Sequence, residues 1–239
     1  MDKVYLVTGA SSDIGMAFIR DVAAKYNNAE FFAHYRTESI EMAALQNEFP
    51  NRITPIKADL SDINAVISII ETVKSAKKIP THILHLPAGR IRHVRFNKTR
   101  WEDINEEIHV SVHSLFEVLK EFLPVMANNR YGKVVVMLTS CTKNMPPKFL
   151  ANYTIAKYTL MGLMKSAAAE YEGKGLFING ISPDMVETKF LSNLDERIVE
   201  LNASNSAKGH NLAISEVVAG INFLLSDDIN CMTGENLFL

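Results

Sequence analysis

Only two cysteines, Cys141 and Cys231, occur in 239 residues. That is too few for a disulfide framework, and the spacing is not that of a metal site, so a reducing cytoplasm is the expected setting. Basic charge is not in excess either: 25 Lys and Arg stand against 27 Asp and Glu, a formal net charge of −2. Neither a nucleic-acid nor a membrane-surface role is expected from such a balance. No apolar run reaches the ~20 residues of a membrane helix, and the opening MDKVYLVTG reads as a strand rather than a signal peptide. Internal repeats, low-complexity tracts and Pro/Gly/Ser-rich linkers are missing, which predicts one domain over residues 1–239. What is present, 47% hydrophobic and 22% charged residues, is the ordinary make-up of a globular chain able to bury a sizeable core.

Strand-like runs at 4–7, 30–35, 53–57, 82–86, 133–138 and 176–181 alternate with helical patterns, and Leu237 to Leu239 add a candidate edge strand. Alternation of this kind requires crossovers. The expectation is an α/β, doubly wound, mainly parallel seven-stranded sheet with helices on both faces.

Two stretches carry chemistry. Val4 to Val7 leads into Thr8-Gly9-Ala10-Ser11-Ser12-Asp13-Ile14-Gly15 and then into a helical pattern. Strand, glycine turn and helix in that order form a phosphate site, because glycine lets backbone approach and a helix amino terminus offers free N–H groups. Farther on, Tyr153 and Lys157 are four residues apart in a helical pattern, with Ser140 upstream at the end of an apolar run. Residues i and i+4 share a helix face, so an ammonium beside the phenol is expected to lower its pKa from ~10 toward the useful range. A proton donor, its tuner and an oxygen-binding hydroxyl result.

These motifs resemble those of the compact short-chain dehydrogenases/reductases, and the layout is similar to that of the 3-oxoacyl-acyl-carrier-protein reductases. The family's T-G-x-x-x-G-x-G answers to Thr8–Gly15, its serine to Ser140, its Y-x-x-x-K to Tyr153 and Lys157, and its N-x-x-x-P-G to Asn179–Asp184. The resemblance covers essentially the whole chain. It implies a Rossmann fold, catalysis by Ser140, Tyr153 and Lys157, and a nicotinamide cofactor held by Gly9, Ser11, Ser12, Asp13, Ile14, Gly15, Asp59, Leu60, Ala88, Gly89, Tyr153, Lys157, Pro183, Val186 and Thr188. It also implies a substrate lid at about 184–212 and a homodimer or homotetramer. The oily helix through Leu163, Met164 and Ala167 to Ala169 agrees, since one side must meet the sheet and another a second subunit.

After the second strand, His34-Tyr35-Arg36-Thr37-Glu38-Ser39 occupies the place where such folds read the adenosine ribose. Arg36 suits a 2′-phosphate and favours NADPH, with NAD the lesser alternative. The chain departs from the family in several places. Asp13 and Asp184 stand where glycine is usual, and Leu86-Pro87 replaces two asparagines, so the polar contact that steadies the fourth strand must be lost or replaced. Counting back from Met126 puts Ser111 at the proton-relay asparagine. Asp13 can cap the helix start, and Asp59 can cap the helix that follows Ser61. His109 and His113 have metal-binding spacing without a third ligand, so no metal is expected. Arg90, Arg92, His93 and Arg95 form a basic loop, either a solvated face or a guide for an anionic substrate.

The function expected is NAD(P)H-dependent reduction of a small-molecule or carrier-bound carbonyl, or the reverse. Arg130 and Lys174 match a carrier-docking pair, which favours a 3-oxoacyl thioester over a polyol, sugar or other ketone. A cofactor sensor or scaffold on the same fold is the alternative, drawing on Asp13, Pro87, Ser111 and Asp184.

Overall fold

The computed structural model describes residues 3–38, 40–89, 91–192, 194–206 and 209–239; Met1, Asp2, Ser39, Arg90, Asn193, Ala207 and Lys208 lie outside them. Seven strands form one sheet: β1 (Val4–Thr8), β2 (Glu30–Tyr35), β3 (Ile53–Lys57), β4 (His82–His85), β5 (Gly132–Met137), β6 (Leu176–Ser182) and β7 (Asn236–Phe238). Their order is β3-β2-β1-β4-β5-β6-β7, and every pair is parallel. The expected strands are all found, with no end moved by more than one residue.

Parallel strands covered on both faces bury both sets of side chains, which is why Val4 to Val7 in β1 and Val134 to Met137 in β5 read as unbroken apolar runs. All five residues of β1 and all six of β5 are buried. On one face lie α1 (Asp13–Lys25), α2 (Ile40–Glu48) and α8 (Ile214–Leu225), with Phe18, Ile19, Val22 and Leu224 in the core. The other face takes α3 (Ile63–Ser75), α5 (Ser114–Asn128) and α6 (Ala151–Glu170), which contribute Ile69, Leu115, Leu119 and Met164. Each such side chain taken wholly from water stabilises the fold by about 1.5–3 kcal/mol.

The chain winds outward from β1 to β3 and then returns to β4 on the other side of β1. That reversal opens a crevice at the carboxyl ends of β1 and β4, where doubly wound folds bind ligands. The turns after β1 and β4 flank it, and the end of β5 adjoins it. The long helical pattern from Trp101 is interrupted: α4 (Trp101–Ile108) passes through a wide π turn (His109–His113) into α5. A short α7 (Glu196–Asn205) precedes α8 and buries no residue.

Candidate active site

The turn after β1 is built to admit backbone and nothing larger. Gly9 has φ +75°, and a Cβ on Gly15 would stand 2.8 Å from the carbonyl oxygens of both Gly9 and Ala10. Ser12 caps α1, its Oγ accepting from Gly15 N (3.1 Å) and donating to Gly9 O (2.8 Å). His34 braces the turn from β2: Gly9 N donates to Nδ1 (3.1 Å), and Nε2 donates to Ala58 O (3.1 Å). Burial lowers the His34 pKa and favours this neutral form. Asp13 does not cap the helix, as Ser12 already does; its carboxylate accepts from Lys189 N at 2.7 Å, across the crevice. The cradle suits the pyrophosphate of a dinucleotide, with the other first-turn amides of α1 available to the anion.

At the ribose corner, Arg36 is exposed at the end of β2 and its charge acts on Asp59. Lys57, opposite Tyr35 in the β2–β3 register, pairs with Glu38 at 2.7 Å. Asp59 accepts from Ser61 N (3.0 Å) and Ser61 Oγ (2.8 Å), which holds it below the usual carboxylate range. The cap of α3 is Asp62, whose side chain accepts from Asn64 N. Leu60 sends its side chain into the core. Ser39 lies outside the described residues.

At the end of β4 the missing asparagines are replaced by a carboxylate. Gly89 N donates to Glu107 Oε1 at 2.7 Å, and a Cβ on Gly89 would collide with Glu107 Oε2 at 2.0 Å. Glu107 is 5% exposed, and burial raises its pKa. His85 bridges the sheet to the π turn, its Nδ1 2.8 Å from Thr8 Oγ1 and its Nε2 donating to Ser111 O at 2.9 Å. Burial pushes its pKa down to about 3. Ser111 Oγ donates to Glu107 O at 2.7 Å, so its hydroxyl proton and its carbonyl are both engaged. In the basic loop, Arg92 pairs with Asp103 (2.6 Å) and Glu106 (3.1 Å), while His93 and Arg95 are exposed and Arg90 lies outside the described residues.

Tyr153 and Lys157 on α6 lie against the end of β5, and Ser140 follows that strand. Ser140 N donates to Pro183 O (3.0 Å), and its Oγ donates to Asp184 Oδ1 (3.1 Å). Lys157 is 1% exposed, donates to Met137 O at 2.7 Å, and sits 5.8 Å from the centre of the Tyr153 ring. The expected depression of the phenol is not met in the free protein. Burial raises the Tyr153 pKa, a Thr139 hydrogen bond opposes that, and the charges of Cys141 and Glu107 add to it. Burial likewise pushes Lys157 down to about 8, against the charge of Glu107. At Tyr153 desolvation outweighs the Thr139 hydrogen bond, and at Lys157 it outweighs the charge of Glu107.

Pro183 and Val186 are buried, Val186 in a bridge with Leu212, and Thr188 Oγ1 donates to Val186 O at 3.3 Å. The rings of His109 and His113 are 5.5 Å apart, with His113 Nε2 3.8 Å from Glu117. Among the described residues no three His, Cys, Asp or Glu are grouped to hold a metal, and no helix is long and apolar enough to cross a membrane. Glu107, Thr139 and Lys57 were not singled out in the sequence. The one signal was Pro87, which announced a replaced contact without naming the partner.

Residues 9–239 match the family described as enoyl-(acyl carrier protein) reductase. The chain is 28% identical to the 3-oxoacyl-acyl-carrier-protein reductase of Escherichia coli (strain K12), over 98% of this chain and 94% of that one. It is 29% identical to the acetoacetyl-CoA reductase of Rhizobium meliloti (strain 1021), over 99% and 96%. Similar folds include levodione reductase (TM-score 0.91, 21% identity, 100% and 96% covered) and ElxO with NADP bound (0.87, 22%, 100% and 97%). The chain belongs to the short-chain dehydrogenase/reductase family and is an NAD(P)H-dependent oxidoreductase of carbonyl groups.

Proposed function

We propose that the protein is an NADPH-preferring reductase that converts a carbonyl to a secondary alcohol through Ser140, Tyr153 and Lys157. The observation that carries this reading is the enclosed Lys157, bonded to Met137 O at 2.7 Å and 5.8 Å from the centre of the Tyr153 ring, at the end of the strand that Ser140 follows. The nicotinamide cofactor, when bound, supplies the hydride to the carbonyl carbon. Tyr153 gives its hydroxyl proton to the carbonyl oxygen, a step of the kind worth ~10² to 10⁴ in rate. Ser140 holds that oxygen. The charge on Lys157 favours the phenolate left behind and holds the nicotinamide ribose.

The glycine turn with Ser11, Ser12, Asp13 and Ile14, Asp59 and Leu60, the Ala88-Gly89 pair, and Pro183, Val186 and Thr188 make up the rest of the cofactor site in this reading. NADPH preference is supported by Arg36 and by Lys57 as a second cation at the same corner. An arginine and a lysine together suit a 2′-phosphate. The segment at 184–212 serves as the substrate lid, tied to the phosphate turn through Asp13 and Lys189.

A 3-oxoacyl thioester as substrate draws support from the two curated relatives. Arg130 and Lys174 also support it: both are exposed, and Arg130 Nη2 donates to Gly173 O at 3.4 Å. They precede β5 and β6, at the opposite strand ends from Ser140, so a carrier docked there needs a long flexible arm. Assembly as a homodimer or homotetramer is supported by the outer side of α6. There Ile155 and Tyr158 are exposed and line, with Val94, Phe96, Pro146 and Phe149, an apolar groove of about 560 Å³.

Tyr153→Phe tests the assignment. Turnover should vanish while NADPH binding, followed by calorimetry, stays nearly intact. Undiminished NADPH oxidation by that variant on the true substrate rejects it.

A further inference from the structure

Ser140 and Asp184 are neighbours by register. β5 and β6 pair with Met137 opposite Ile181, and Ser140 keeps the same offset of 44 residues to Asp184 beyond the last ladder pair. The bonds Leu138 N to Ile181 O (2.8 Å) and Ser140 N to Pro183 O (3.0 Å) carry the register out to the site. Any side chain at 184 is thereby delivered beside Ser140. The glycine usual in the resembling family delivers none.

Asp184 is exposed, and no basic side chain among the described residues forms an ion pair with it. A carboxylate only accepts hydrogen bonds. A bare ketone brings Ser140 a second acceptor, one that gains negative charge as it is reduced. The two then compete for one hydroxyl hydrogen and repel each other. A substrate with its own donor on the carbon beside the carbonyl removes the conflict: the donor binds Asp184, and the Ser140 hydrogen turns to the carbonyl oxygen.

We propose that Asp184 selects carbonyl substrates that carry a hydrogen-bond donor, a hydroxyl or an ammonium, on the adjacent carbon; in the reverse direction these are vicinal diols or amino alcohols. The inference rests on the carbonyl-reductase reading of this site and narrows its substrate away from an unsubstituted 3-oxoacyl thioester.

The test compares the NADPH-loaded protein with its Asp184→Gly and Asp184→Asn variants on hydroxyacetone, aminoacetone, acetone and an acetoacetyl thioester. Binding of propylene glycol to the NADP-loaded proteins is measured alongside by calorimetry. The unsubstituted protein should favour hydroxyacetone or aminoacetone over acetone in kcat/KM by about ten- to a hundredfold, the scale of one hydrogen bond to a charged group. In Asp184→Gly that preference should collapse, glycol binding should weaken, and the thioester should gain. Retention in Asp184→Asn identifies the hydroxyl as the donor, and loss there identifies the ammonium. A preference absent from the unsubstituted protein, or unchanged by Asp184→Gly, overturns the proposal. Failure to reduce any carbonyl, with glycol binding still dependent on Asp184, rejects the reductase reading and upholds the site; glycol binding equal in all the proteins overturns the site.

Discussion

Gly89 N donates to Glu107 Oε1 at 2.7 Å, so a carboxylate from α4 holds the turn that follows β4. The same carboxylate supports the charge of the buried Lys157, which burial alone would weaken. Glu107→Ala leaves the Gly89 amide without its partner and should cost about 1–3 kcal/mol in denaturant unfolding. Glu107→Gln keeps the shape and loses the charge. Activity that needs charged Lys157 should fall off above about pH 8 in the parent protein, and the Gln variant should move that limb to lower pH. A pH profile of kcat/KM with the limb unmoved would show that Glu107 is structural only.

Acid should destabilise the fold through buried histidines. His82 and His85 are pushed down to about 3 by burial, and His34 is lowered too. In the unfolded chain each binds its proton near ~6.5. The unfolded state therefore holds more protons between these values, and the stability they contribute, full above ~6.5, drains away as pH falls toward about 3. Thermal unfolding followed from pH 7 to pH 5, above most carboxylate titration, should show a falling midpoint. His82→Phe should flatten that slope; a midpoint constant over the range in the parent protein contradicts the account.

The choice of cofactor should respond to Arg36 and Lys57. Removing either cation should weaken NADPH binding by about ten- to a hundredfold, the scale of a hydrogen bond to a charged group, and leave NADH nearly unaffected. Parallel titrations with the two dinucleotides decide this. An equal loss for both would mean that the residues act on the fold rather than on the 2′-phosphate.

Gly15→Ala places a methyl group 2.8 Å from two backbone carbonyls that cannot yield as a side chain would. The phosphate turn must open. Overpacking of this sort costs about 1–3 kcal/mol, and dinucleotide affinity should fall with it. A fluorescence titration showing unchanged NADPH affinity would remove the turn from the cofactor site.

The sheet was legible in the sequence because parallel strands buried on both faces need apolar residues throughout, and runs such as Val134 to Leu138 leave no other reading. The glycine turn and the Tyr153–Lys157 pair were legible because local spacing defines them. Glu107 was hidden: Glu102, Asp103, Asn105, Glu106 and Glu107 together look like a solvated helix face, and only the approach of α4 to the turn at Gly89 separates one from the rest. The contact of Asp184 with Ser140 depends on the β5–β6 register, and Lys57 reaches the ribose corner only through the pairing of β2 with β3. The acidity of Tyr153 was misjudged because spacing gives the neighbour and says nothing of how thoroughly water is excluded.

The π turn at His109–His113 closes with Ser114 N bonded to His109 O. A turn of that width holds one residue more than an α turn, and one residue amounts to about 100° of helical phase. With the extra residue looped into the turn, α4 can aim Glu107 at Gly89 while α5 still lays Leu115 and Leu119 on the sheet. Removing a single residue from this loop is therefore a milder edit than removing one from either flanking helix. A straightened segment of unaltered length is the form that cannot serve both ends at once.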